Sequence, residues 1–299
     1  MDEILMQALS QFEIENNLPV EQTAQKSSWV VGGKYILKSF LSDCETAKRV
    51  ACLNDLLYRA NAPAAKHYKS KTGNFYALSH GGYFTLAEKL PGAHGGIYEG
   101  DSQKRAYSLG KNLAKLHLAL KTLDGKAHAY DMDTMDELRG WILKEVNDKN
   151  IAVQRDVIDY CLEFDALYHR LPRQIIHRDP HKGNMLFLND EITGFIDFDI
   201  SQVNIRVFDM CYAFSPPEDK FDKWLSLRPY FFSGYYKISE ISKDEMAGFA
   251  YMCILLELLC AAFWSALDRK DKMDETLRGL HWLYGVRDKI AFNENELLI

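Results

Sequence analysis

The chain lacks most of what would direct it to a metal cluster, a membrane or a nucleic acid. Its six cysteines form no Cys-x-x-Cys pair, and no His/Cys group has zinc spacing. Scattered thiols suggest a reducing compartment, with most of them packed as small hydrophobes. No apolar run reaches the roughly 18 residues that a membrane span requires. The strongest candidate, 249–264 (FAYMCILLELLCAAFW), is interrupted by Glu257 and reads as a buried helix. The N-terminus, MDEILMQALSQFEI, has no basic region followed by an apolar stretch, so a cytoplasmic location is expected and an export signal is not. Excess positive charge is missing as well. The 36 Lys and Arg against 42 Asp and Glu leave a net charge of −6, which argues against a general nucleic-acid binder. Neither internal repeats nor low-complexity tracts occur, and nothing signals an oligomeric state.

The 299 residues, 47% hydrophobic and 26% charged, suit a globular protein with two packed lobes. Residues 2–11 have the pattern of a short amphipathic helix. From about 20 to 40 the texture is strand-like, and Gly32-Gly33 between WVV and YIL signals a hairpin. Ser42 or Asp43 is placed to cap a helix running to about 60, which Asn61-Ala62-Pro63 ends. Two short strands are expected near 74–79 and 83–88. EKLPGAHGG, residues 88–96, is a Pro/Gly break and the best boundary. The expected division is a β-rich lobe, 1–90, and a helical lobe, 91–299. Helices are predicted near 102–122, 134–148, 155–170, 206–214, 218–236, 243–267 and 272–291. A strand-loop-strand stretch at 174–197 interrupts them.

That stretch carries the chemistry. IIHRDPHKGNMLF (175–187) sets a His, an Arg, an Asp, a second His and an Asn between two apolar runs. HRDPHKGN fits a catalytic loop of the form His-Arg-Asp, four residues, Asn. Thirteen residues after Asn184, GFIDFD brings Asp197 to the end of a buried strand. Phosphoryl transfer needs a carboxylate to accept the proton of an attacking hydroxyl, and hard oxygen ligands for Mg²⁺. Asp179 is the candidate base, Asn184 and Asp197 the candidate metal ligands, and His177 a buttress of the loop. Each element alone is a weak signal, since Asp-Pro turns and strand-ending Asp residues are common. Their order and context make the combination specific.

The chain resembles the aminoglycoside phosphotransferase/choline kinase-like family, which shares its fold with protein kinases. The resemblance runs from about 20 to 210. It rests on His177, Asp179, His181 and Asn184, on Ile196-Asp197-Phe198-Asp199, on SLGKNLAKLHLAL (108–120) and on EKLPG (88–92). It implies an α+β, bilobal, protein-kinase-like fold and an ATP- and Mg²⁺-dependent small-molecule kinase. It also implies a hinge at Glu88 and Leu90 that meets adenine, and Lys38 in YILKSF as the phosphate-binding lysine. Lys38 shares a strand face with Ile36, which suits an internal role. Glu45, the single Glu in 41–60, is its candidate acidic partner, although the family's spacing would put a Glu nearer Arg49.

Three departures from the pattern stand out. No Gly-x-Gly-x-x-Gly precedes Lys38, so AQKSS (24–28) is expected to cover the phosphates, with Ser27 and Ser28 as donors. Asp199 replaces a Gly and could assist metal binding or cap the next segment, the second being the favoured reading. Arg178 also replaces a Gly, and an ion pair with Asp209 is one reading of it. The segment after Asp197 is too short for a phosphoregulated loop and a peptide platform, which disfavours a protein kinase. A non-catalytic nucleotide-binding protein of this fold is the alternative reading. The acceptor is expected between Asp179 and the helices beyond 215, where Trp224, Tyr230, Tyr235, Tyr236, Trp264, Trp282 and Tyr284 mix with Glu218, Asp219, Glu257 and Asp268. Such a set could hold a cation. Homoserine, choline, a sugar and an aminoglycoside all remain open as acceptors.

Overall fold

In a computed structural model of the chain, residues 3–15, 17–40, 43–292 and 294–298 are described. The first ninety residues open with α1 (Glu3–Ser10) and form one antiparallel sheet. Its strands are β1 (Val20–Gln22), β2 (Ser28–Val31), β3 (Tyr35–Ser39), β4 (His67–Tyr68), β5 (Ala77–Ser79) and β6 (Gly82–Glu88), with α2 (Cys44–Arg59) between β3 and β4. The strand order is β1-β2-β3-β6-β4, and β5 pairs with another part of β6. Gly32 and Gly33 both sit at positive φ, +58° and +68°, the turn geometry that a tight β2–β3 hairpin demands. Asp43 caps α2 by accepting from the Thr46 amide at 2.9 Å; Ser42 lies outside the described residues.

The remainder is mostly helical. In order come β7 (Ala93–His94), α3 (Ser102–Thr122), β8 (Tyr130–Asp131), α4 (Thr134–Glu137), a π-helical turn (Leu138–Ile142), α5 (Leu143–Asp148), α6 (Arg155–Glu163) and α7 (Asp165–Tyr168). Then follow β9 (Arg173–Ile176), β10 (Met185–Leu188), β11 (Glu191–Phe195), β12 (Gln202–Ile205), α8 (Val207–Ala213), α9 (Phe221–Tyr236), α10 (Lys243–Ala266), α11 (Lys270–Gly285) and α12 (Arg287–Ile290). Two small sheets, β11-β10-β7 and β8-β12-β9, hold the ends of the predicted catalytic loop. The mixed α+β class is as expected.

Apolar periodicity explains the large core. Leu109, Leu113, Leu116 and Leu120 form the inner stripe of α3, each fully buried. Gly110 of α3 and Gly234 of α9 let these two helices touch backbone to backbone, since a Cβ on either would collide with the other's main chain. Helix α10 is long and apolar enough to cross a membrane, yet 67% of its most apolar window is buried inside the protein. The six cysteines are free thiols.

Candidate active site

The sheet presents one face to a cavity of about 380 Å³. Two cross-strand rows form its wall: Ser28–Lys38–Thr85 and Val30–Ile36–Ala87–His67. The alternate residues Val31, Leu37 and Leu86 pack into the core on the opposite face. Glu88 and Leu90 line the cavity at the end of β6, and Leu186, Ile196, Asp197 and Asp199 close it from the helical side. Thr23, Ala24 and Gln25 lie over it, joined by Ser28, whose hydroxyl meets that of Thr23 at 2.6 Å. Ser27 is placed differently. It is exposed, outside the lining, and donates to the Gln25 carbonyl at 3.1 Å.

Lys38 reaches across the cleft. Its Nζ lies 2.8 Å from Asp197 Oδ1 and 2.7 Å from Asp199 Oδ2. Burial works against the lysine's charge, but Asp199 and Asp197 together hold its pKa above the ordinary value. For Asp197, burial is outweighed by the Lys38 charge and hydrogen bond, and its pKa falls. Asp199 goes the other way, raised by burial and by its neighbour Asp197 despite Lys38. Asp199 therefore partners the lysine and does not merely cap the following segment.

Helix α2 does not supply the acidic partner. Glu45 lines a separate pocket with Lys48, Arg49 and Tyr130, away from the cleft that holds Lys38. Its assignment to the nucleotide site is corrected accordingly. Helical periodicity gives the reason. Glu45 and Arg49 share one face, while Val50 and Asn54 face the cleft. Arg49 donates to the Asp199 backbone carbonyl and stacks 4.4 Å from the Tyr130 ring.

The predicted catalytic loop is braced by Asp209 and His177. Asp209, wholly buried, accepts from the backbone amides of His177 and Arg178, each at 2.8 Å, and meets His117 Nε2 at 3.1 Å. His177 is also buried, and its Nε2 bonds to the Ile196 carbonyl at 2.9 Å, tying the loop to the strand that carries Asp197. The Arg178 side chain does not pair with Asp209. It pairs with Glu137 at 3.0 Å and lies over Phe208. Arg178 and Asp197 both adopt positive φ, +77° and +68°, a region costly for non-glycine residues.

Asn184 Nδ2 donates to the Asp179 carbonyl at 2.9 Å and to its carboxylate at 3.0 Å. This fixes the amide and directs its oxygen, the metal-competent atom, away from Asp179. His181 Nε2 stands 3.6 Å from the Asp179 carboxylate. Burial raises the Asp179 pKa, against the pull of His181, His177 and a Tyr212 hydrogen bond. Tyr212, Asn54, His67 and Thr23 escaped the sequence reading, because none shares a local spacing with the loop. Of the aromatic set proposed for a cation, two members are core residues, while Tyr230, Tyr236, Trp264, Trp282 and Tyr284 are half-buried. Trp224 and Tyr235 have no exposed surface; the Trp224 indole donates to the Phe214 carbonyl, and the Tyr235 hydroxyl meets His117.

The donor set suits a hard divalent cation: a carboxylate at 197, a second at 199 and the Asn184 amide oxygen. Among the described residues no group of three or more His, Cys, Asp or Glu side chains is arranged around a metal, so an ion here would complete its shell with phosphate oxygens and water.

A profile of the phosphotransferase enzyme family matches residues 19–241. A homoserine kinase of Zymomonas mobilis is 27% identical over 206 residues, 66% of this chain and 62% of that enzyme. The chain thus spans about three fifths of that curated relative's length. Among solved structures, a microcompartment-associated aminopropanol kinase superposes with a TM-score of 0.67 at 16% identity, covering 95% of this chain and 94% of that one. An amicoumacin kinase in complex with AMP-PNP, Ca²⁺ and its substrate gives 0.65 at 18% identity, covering 94% and 91%. These structures share the bilobal, protein-kinase-like fold expected from the sequence.

Proposed function

The chain belongs to the phosphotransferase enzyme family, and on that premise we propose that it moves the γ-phosphate of a purine nucleoside triphosphate, ATP, to a hydroxyl of a small amine-bearing alcohol. The observation that carries this reading is the meeting of Asp179 and Asn184 in one hydrogen-bonded loop, beside a strand end where Asp197 holds Lys38. Residues 1–90 would hold the nucleotide and 91–299 the acceptor. Asp179 takes the proton of the acceptor hydroxyl as the new O–P bond forms and the bond to the nucleoside diphosphate breaks. Lys38 exchanges its carboxylate partners for the α/β phosphates, as a point charge can. Asn184 and Asp197 would hold Mg²⁺, which neutralises phosphate charge when bound.

An amine on the acceptor would have Glu257 as its candidate carboxylate partner. It lies on α10, one turn from Cys260, whose thiol feels the charges of both Asp179 and Arg178. Burial, and then Glu275, raise the Glu257 carboxyl to about 7, and no cation neutralises it among the described residues. An ammonium group would. The homoserine and aminopropanol kinases similar to this chain are named for amino alcohols.

The test is acceptor-stimulated ADP release with Mg-ATP, using homoserine, aminopropanol, choline, sugars and aminoglycosides. Asp179→Asn is expected to keep nucleotide binding and lose about 10²–10⁴-fold in kcat. Asp197→Ala is expected to lose Mg-nucleotide affinity. Full turnover in both variants would overturn the assignment.

A further inference from the structure

Several polar side chains of the nucleotide cleft, among them Asn54, Thr85 and His94, have no part in the chemistry above, and one, His67, has a buried ring nitrogen without a hydrogen-bond partner among the described residues. His67, on β4, is only 9% exposed, and its ring lines the same cavity as Glu88 and Leu90. Strand register sets it opposite Ala87, the residue immediately before Glu88. Ala87 carries only a methyl group, so the imidazole is not screened from the cavity by its neighbour. Nδ1 of His67 is buried with no hydrogen-bond partner among the described residues. Burial, with the Lys38 charge adding to it, pushes the imidazole down to about 4, so the ring is neutral at physiological pH. A neutral imidazole offers one N–H and one lone pair, and can meet an amino group or a carbonyl. Buried polar atoms are rarely left unpaired. An unpaired one beside a ligand cavity points to a partner that arrives with the ligand.

We propose that His67 reads the base: its imidazole hydrogen-bonds the six-position substituent of the bound purine. This rests on the nucleotide reading given above. A purine lying against the backbone at Glu88–Leu90 turns its hydrogen-bonding edge toward that segment. His67 stands beside Ala87 at the β6 end of that segment, so a purine placed with its six-position toward that end brings the substituent to the imidazole. The Glu88–Leu90 backbone supplies the common purine contacts, and His67 adds a side-chain contact that depends on what the six-position carries.

The experiment measures dissociation constants by calorimetry with Mg²⁺ present, for ATP and for purine riboside triphosphate, which lacks the six-amino group. It uses the wild type, His67→Leu and His67→Gln. The wild type is expected to prefer ATP, and His67→Leu is expected to lose about 3–10-fold of that preference, the worth of one hydrogen bond. His67→Gln, which keeps a donor and an acceptor, is expected to retain most of it and also guards against misfolding of the leucine variant. If His67 only fills space, Leu and Gln will weaken both nucleotides equally and leave the ratio unchanged, which overturns the proposal. A wild type that binds no nucleotide would instead overturn the kinase reading beneath it.

Discussion

Asp179 is a partly buried carboxylate, and its surroundings set the pH at which it can act as a base. Only the deprotonated form accepts a proton. Because burial outweighs the favourable groups and raises its pKa, the acid limb of kcat/KM is expected above the ordinary aspartate range. Activity falls as pH drops through that limb. Tyr212→Phe removes a hydrogen bond that favours the anion, so the limb should move to higher pH. Paired pH profiles check this, and a limb that stays or moves down contradicts it. The meeting of Asp179, Asn184 and Asp197 in one place was legible because they lie in one short stretch, where spacing along the chain is close to spacing in space. The turn of Lys38 toward the cleft was legible through alternation on β3. Glu45 misled because it was chosen by charge type, whereas the helix face decides, and that face turns Val50 and Asn54 to the cleft. His67 and Tyr212 had no local signal, since sheet register and a helix–loop contact bring them in.

Long elements with a clear period were read well: α3 spans Ser102–Thr122 and α10 spans Lys243–Ala266, close to the expected limits. Short strands such as β4, β7 and β12 were not. Two to four residues hold too little alternation to register as a pattern, and pairing partners far along the chain create them. At the start of α10, Ser242 and Glu245 form a reciprocal cap, and Glu245 also grips Arg206 at 2.5 Å and 2.9 Å. Burial opposes the Glu245 charge, but Arg206 and Ser242 win, and its pKa is lowered. The sign is that of a depressed carboxylate: the stabilisation is full above the ordinary glutamate range and is lost as pH falls through the lowered value. Glu245→Ala leaves a largely buried arginine without its carboxylate and removes the glutamate half of the reciprocal cap, and is expected to cost about 3 kcal/mol. Urea unfolding at neutral pH measures this; a change within about 0.5 kcal/mol, the size of an ordinary surface substitution, would refute it.

Across the whole molecule, Lys38 on the sheet and Asp197 and Asp199 on the helical side form an ionic clasp over the cleft. A ligand that binds here adds its binding free energy to folding. Mg-ATP at a hundred times its dissociation constant contributes about 2.7 kcal/mol, a rise of about 5 °C in Tm. Asp197→Ala is expected to show little of that rise in a thermal melt, and an undiminished shift would argue that the nucleotide sits elsewhere. A second long-range pair, Arg178 with Glu137, governs what change the two positions tolerate. Glycine at 178 would hold the +77° backbone angle at no cost. Arginine there carries strain, and its charge is tolerable only with Glu137 beside it. The two positions therefore depend on each other: losing either side chain alone leaves a largely buried charge unpaired. A double-mutant cycle is expected to show the pair as non-additive, with the joint replacement costing less than the two single losses together.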